Sequence, residues 1–163
     1  MKNDLEKLTE KIQTFGKEDL SDILYYTATS LKSIFECHMV RVYLEDLHQG
    51  ILICQYMTEQ KRPVEQQITK FISPRDSMTS QAFYENKVIR SWNLPEGFIK
   101  YRNPFEKMLG VQASVVFPIV HELRPIGTLT LDWEKEENSI SNEKIDAINS
   151  FLENISVVID RAK

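Results

Sequence analysis

Three histidines and two cysteines are the side chains of this chain with the widest chemical reach. His38, His48 and His121 form no H-x-x-x-H or H-E-x-x-H arrangement, so no helical face offers two imidazoles to a metal. Cys37 and Cys54 make neither a C-x-x-C pair nor a disulfide framework. Cys37-His38 is the one adjacent thiol–imidazole couple. On a strand such neighbours point to opposite faces, which separates nucleophile from base. There is no G-x-S-x-G elbow, P-loop or G-x-G-x-x-G fingerprint. The pattern predicts neither catalytic nor metal-binding residues, and His121, near a strand end, reads as a solvated or hydrogen-bonded imidazole and not as a haem ligand.

The elements that would position any site follow from periodicity. Leu5, Leu8, Ile12 and Phe15 recur at helical spacing and predict an amphipathic helix over 1–17, with Gly16 as its C-cap. A second helix carries Leu20, Leu24, Thr27, Leu31 and Ile34 on a stripe widened by Ile23 and Phe35. From Met39 to Glu45 the period becomes two, with Val40, Val42 and Leu44 opposite Arg41, Tyr43 and Glu45, a half-buried strand. His48-Gln49-Gly50 turns the chain into a partner strand over Ile51 to Met57. A loop follows to Glu65, then a short strand over Ile68 to Ile72, a short helix from Asp76 to a C-cap at Asn86, and a brief strand at Val88 to Arg90. Residues Trp92 to Gly110 form a long connection, with Asn103-Pro104 opening a short helix inside it. Ala113 to His121 and Ile126 to Glu134 make a second hairpin turning around Leu123, and Ser141 caps a last long helix.

In that last helix Ile145, Ile148, Leu152, Ile155, Ile159 and Ala162 follow the a/d spacing of a coiled coil for about two and a half heptads, beside a second stripe of Ala147, Phe151 and Val158. Two readings stay open. One stripe can face the sheet and the other a partner, or both can form a single wide face against the chain's own core.

Composition narrows the class. The 163 residues suit one domain, 18–163, preceded by the first helix, with 42% hydrophobic and 27% charged residues. A net charge of -4 without clustered Lys and Arg points away from nucleic acid. Lacking a signal peptide or a membrane-length apolar run, the chain reads as a cytoplasmic protein that does not engage a membrane.

The order of elements describes an α+β layer design, an antiparallel sheet with helices on one face and a looped cap on the other. The stretch from Leu109 to Ile119, LGVQASVVFPI, then resembles the G-x-x-S-x-x-x-x-P-hydrophobic pattern of the GAF family. Pro125 to Leu131, PIGTLTL, is similar to its I-G-x-L-x-L strand. Ser80-Gln81-Ala82-Phe83 with Lys87-Val88-Ile89 resembles the family's short helix leading to a strand, and Ser141 to Ala162 its closing helix. The resemblance implies a GAF-like (PAS-like) sheet of about six strands, with the N- and C-terminal helices on one face and short helices and a long loop capping the other. Gly127 is expected to allow close backbone approach or a bulge, and Pro118 to sit where no ladder hydrogen bond is needed.

The same resemblance implies a small-molecule-sensing regulatory domain, not an enzyme, that controls the output domain of a larger signalling protein. Its ligand would lie between sheet and capping loop, against Phe71, Met78, Phe83, Ile89, Trp92, Val115 and Phe117, under Phe98, Tyr101, Phe105 and Met108. Arg75, Arg90, Arg102, Ser91 and Thr128 are the polar anchors on offer. Readout would pass to a homodimer whose interface is Leu5, Leu8, Ile12, Ile148, Leu152, Ile155 and Ile159. The cofactor is left open, though Cys37-His38 precedes the first strand, out of place for covalent bilin attachment, and the cyclic-nucleotide signature is absent. The alternatives are a ligand-free dimerisation or interaction module, with Trp92 and the loop aromatics closing a satellite core, and a small redox enzyme using Cys37 or Cys54.

Overall fold

A computed structural model of the chain describes residues 1–58, 69–70 (backbone only), 77–93, 110–134 and 140–163. Among the described residues the elements run in the order α1 (Lys2–Gln13), α2 (Leu20–Ile34), β1 (Met39–Asp46), β2 (Ile51–Met57), β3 (Thr69–Lys70), α3 (Met78–Glu85), β4 (Ile89–Arg90), β5 (Ala113–His121), β6 (Arg124–Trp133) and α4 (Asn142–Ala162). The strands form one antiparallel sheet of order β3-β2-β1-β6-β5-β4. The expected α+β layering is thus present, with β1 and β6 at its centre. The loop assigned to 59–65, the flanks of β3 and the helix at Asn103-Pro104 lie outside the described residues.

Local chemistry explains the element ends. Asp46 Oδ1 accepts from the backbone N–H of His48 at 2.9 Å and of Gln49 at 3.2 Å, and Gly50 takes φ 64°, so the β1–β2 turn closes on an aspartate and a left-handed glycine. Ser77 Oγ accepts from Ser80 N at 3.0 Å to start α3, and Asn86, at φ 52°, ends it in the left-handed region as expected. Ser141 caps α4 through Lys144 N at 3.3 Å. Gly16 does not act as the C-cap of α1, which ends at a right-handed Thr14; its N–H goes instead to Asp19 Oδ2 at 2.8 Å.

Helices α1, α2 and α4 share one buried cluster with Val40, Val42 and Leu44 of β1, Leu129 and Leu131 of β6, and Val115 and Phe117 of β5. The proposed interface side chains Leu5, Leu8, Ile12, Ile148, Leu152, Ile155 and Ile159 all belong to this cluster and are buried within the chain, so they are not free to form a seam between subunits. Phe151 and Val158 are buried there too, and α4 therefore presents one wide face to its own core. Strand β1 is likewise more than half buried: Met39 to Leu44 are all buried, and on the side away from the terminal helices Met39 and Tyr43 belong to a second cluster against which Phe83 of α3 packs.

Two residues set the sheet's geometry. A Cβ built on Gly127 would lie 2.2 Å from the carbonyl oxygen of Tyr43 and 2.8 Å from a methyl of Leu44, so β6 approaches β1 more closely than any side chain permits. Ser114 turns both its N–H and its carbonyl towards Ser91 on the β4 side. By the two-residue alternation Pro118 faces its ring nitrogen to that same edge, beyond β4, which ends opposite Val116. No ladder bond is forfeited there.

Gly127→Ala should therefore destabilise the domain by about 3 kcal/mol or more, through backbone displacement at the centre of the sheet. Gly50→Ala, left-handed but in open space, should cost only about 1 kcal/mol. Thermal unfolding of the two variants checks the order.

Candidate functional site

Strand register decides which side chains share the face away from α1, α2 and α4. Arg41 stands opposite Thr130, which stands opposite Val116, which stands opposite Ile89. Two residues along, Tyr43 is opposite Thr128, itself opposite Pro118; in the other direction Met39 is opposite Asp132, itself opposite Ser114. Thr128, Thr130 and Asp132 thus form a polar row on the central strand β6, while Leu129 and Leu131 between them face the helices. Helix α3 lies over this face, with Met78 and Ala82 against Ile89 and Val116, and Phe83 against Met39, Tyr43, Leu52, Cys54, Met57 and Val111.

At the head of the row is an ion pair removed from water. Arg41 Nε donates to Asp132 Oδ2 at 2.8 Å and its terminal nitrogen to Oδ1 at 2.9 Å, a bidentate fork, with Arg41 2% and Asp132 0% exposed. Ser114 Oγ donates to the same Oδ1 at 2.6 Å, and the guanidinium reaches the Tyr43 hydroxyl at 3.4 Å. Ser114 N in turn donates to Ser91 Oγ at 3.0 Å. The pair is therefore held from three strands and the residue following a fourth.

The rest of the row is polar without partners. Thr128 Oγ1 and Thr130 Oγ1 are fully buried and make no hydrogen bond among the described residues. Gln81 Oε1, on α3, is a third such atom, while Gln81 Nε2 donates to Glu85 at 3.2 Å; a fourth, Thr27 Oγ1, belongs to α2. A buried polar atom left unpaired costs about 1–3 kcal/mol, so two adjacent on one strand mark a face suited to receive hydrogen bonds from a bound molecule or ordered water.

Of the expected ligand-contacting residues, Met78, Phe83, Ile89 and Thr128 come together on this face. Val115 and Phe117 do not: both belong to the core beneath the terminal helices. Trp92 packs against that same core, and Arg90, opposite Val115, sends its guanidinium to Asn142 Oδ1 at 3.3 Å at the start of α4. Ser91 holds the backbone of Ser114. Phe71, Arg75, Phe98, Tyr101, Arg102, Phe105 and Met108 lie outside the described residues.

Neither thiol is poised for chemistry. Burial pushes Cys37 up from 9.0 to about 12, helped by the negative charge of Asp132. Burial likewise raises Cys54 to about 12, against an opposing pull from Arg41. Cys54 does share the α3-covered face, packed with Tyr43 and Met57, whereas Cys37 is in the helix-side core. His38 Nδ1 lies 3.0 Å from Glu134, and His121 Nε2 is 3.8 Å from Glu122 and 3.9 Å from Asp160. Among the described residues no cluster of His, Cys, Asp or Glu could hold a metal, and no helix is long and apolar enough to cross a membrane.

A family model described as GAF domain matches residues 17–160. No curated protein matches the sequence. Among solved structures, the chain is similar to the GAF domain of a phosphoenolpyruvate-protein phosphotransferase from Coxiella burnetii, with a TM-score of 0.80 at 14% identity over 98% of this chain and 92% of that one. It is also similar to residues 122 to 287 of a methyl-accepting chemotaxis protein, with a TM-score of 0.74 at 19% identity over 95% and 96%. A free methionine-R-sulfoxide reductase from Neisseria meningitidis, in complex with its substrate, gives 0.75 at 15% over 97% and 87%. At such identities the likeness is one of fold.

Two outcomes test the site's energetics. Arg41→Met or Asp132→Leu alone should cost about 3–5 kcal/mol by stranding a buried charge, and the double substitution clearly less than their sum; a denaturant double-mutant cycle measures the coupling. For the thiols, the raised folded-state values mean a contribution fully present below the unfolded value near 9.0 and lost as pH rises towards about 12. Going from about pH 8 to about pH 10 should therefore cost the wild type roughly 2–3 kcal/mol more than a Cys37→Ala/Cys54→Ala variant, measured by urea unfolding at each pH.

Proposed function

The chain belongs to the GAF domain family, and on that premise we propose that it is a regulatory domain of a signal-transduction protein, binding a small molecule on the sheet face beneath α3. The observation that carries this reading is the pair of buried, unpartnered hydroxyls, Thr128 Oγ1 and Thr130 Oγ1, beside the Arg41–Asp132 fork. A fold that needed only a closed core would have apolar residues at these positions, as it does at Leu129 and Leu131 on the opposite face. Met39, Met57, Ile89 and Val116 supply the apolar surface around them, and an apolar site with a few convergent polar groups is the usual form of a small-molecule site.

Non-catalytic binding suits the residues better than thiol chemistry does. The reductase likeness raises a redox reading, but a thiol held near 12 supplies almost no thiolate at neutral pH. The free, buried cysteines fit work in a reducing compartment such as the cytoplasm. Output would pass through the helix layer. Strand β6 carries the polar row on one face and packs Leu129 and Leu131 against α1, α2 and α4 on the other, so a ligand that displaced the strand would act on helix packing directly. Pairing with a second copy, if it carries the output, uses surfaces other than the seven buried seam residues.

Native mass spectrometry of freshly purified protein, with and without added metabolite pools, tests the reading together with Thr130→Val. The substitution should raise the ligand-free melting temperature, by removing an unpaired buried hydroxyl worth about 1–3 kcal/mol, while weakening ligand-induced stabilisation. A variant that loses stability without ligand, or a wild type that retains nothing from any pool, would count against a binding face.

A further inference from the structure

Any charged ligand on this face must meet the charges already there. Among the described residues Arg41 and Asp132 are the only charged side chains classed as buried, and they satisfy each other through two hydrogen bonds of 2.8 and 2.9 Å. The Asp132 carboxylate thus occupies on the guanidinium the bidentate position that a ligand carboxylate or phosphate would take. It is also the acceptor of the Ser114 hydroxyl, which fixes it from a third strand. Arg90, the cation of the edge strand β4, turns to the helix side and onto Asn142. What the row still offers is hydroxyl chemistry, from Thr128 and Thr130, each able to donate and to accept.

Resting on the ligand-binding reading above, we propose that the Arg41–Asp132 pair is a built-in charge filter, and that the face takes an uncharged ligand bearing hydrogen-bond donors and acceptors, with Thr130 as the residue that reads them. An anion would bring a second negative charge beside Asp132 with Arg41 already engaged. A cation would find that carboxylate shared between Arg41 and Ser114. Either would be buried without a dedicated counter-charge among the described residues, whereas an uncharged amide, hydroxyl or heterocyclic N–H pairs with the threonine hydroxyls at no such cost.

The filter is tested by removing one half of it. Asp132→Asn keeps the side-chain shape and removes the carboxylate charge onto which the guanidinium forks, so the variant should bind acetate at least about tenfold more tightly than wild type, read as a melting temperature that rises with acetate at constant ionic strength. Wild type should be unmoved by acetate, inorganic phosphate, putrescine and spermidine at millimolar concentration. It should respond to one or more of the uncharged probes uracil, adenine and nicotinamide, with the response reduced in Thr130→Val. Saturable stabilisation of the wild type by one of the ions, lost in Thr130→Val, would overturn the filter. So would a folded Asp132→Asn that gains no acetate affinity. If Asp132→Asn does not fold, the wild-type panel decides alone: a response confined to uncharged probes supports the filter and any other result overturns it. If Asp132→Asn gains acetate binding while wild type binds no probe of any class, the exclusion of anions by Asp132 stands, and the ligand-binding reading falls together with the uncharged ligand proposed on it.

Discussion

A carboxylate and a guanidinium taken out of water each cost several kcal/mol unless they meet in good geometry, and in this chain the two central strands are registered so that they do. Arg41 on β1 reaches diagonally to Asp132 on β6, Ser114 on β5 donates to the same carboxylate, and a shift of any strand by one residue would strand a buried charge. Such a pair contributes little net stability but penalises wrong register heavily. The contact of Gly127 against the Tyr43 backbone on the same two strands adds a steric constraint to the electrostatic one. Together they hold β1 and β6 in one alignment, and the sheet extends from that pair through β2 on one side and β5 on the other.

The same alignment separates two chemistries across one strand. Residues 128, 130 and 132 of β6 are polar and face α3, while Leu129, Leu131 and Trp133 are apolar and face the terminal helices. On the proposed reading, a displacement of β6 by a bound molecule would act on its packing against the helices directly. The apolar stripes of the terminal helices are consumed inside the chain, and among their large apolar side chains mainly Tyr25 and Val157 remain half exposed.

Much of this architecture is legible in the sequence, since hairpin turns, the Ser141 cap, the Asn86 stop and the helix stripes are local signals. The facing of β5 is not. Ala113 to Val120 is apolar at nearly every position, so period-two alternation carries no information there, and Val115 and Phe117 read as pocket walls when they are core. Trp92 and Arg90 are misplaced for the same reason, being on and after a two-residue strand too short to show a period. The polar face did leave a trace: Thr128-Leu129-Thr130-Leu131-Asp132 alternates cleanly, and Arg41 and Tyr43 alternate with the valines of β1. What hides it is that a buried arginine looks like a solvated one until its carboxylate, 91 residues away, is known. The helix seam misleads differently, because a/d spacing also describes a wide amphipathic face once a second stripe adjoins it.

Fold likeness alone leaves regulatory domains and a reductase side by side, and the two readings make different demands on the α3-covered face. The most direct measurement is a high-resolution crystal structure of freshly purified protein, examined at the Thr128 and Thr130 hydroxyls. A bound uncharged molecule within hydrogen-bonding distance of Thr130 Oγ1, with the Arg41–Asp132 fork intact beside it, is the result the account predicts. Side chains of the chain itself filling that space and pairing both hydroxyls would contradict it.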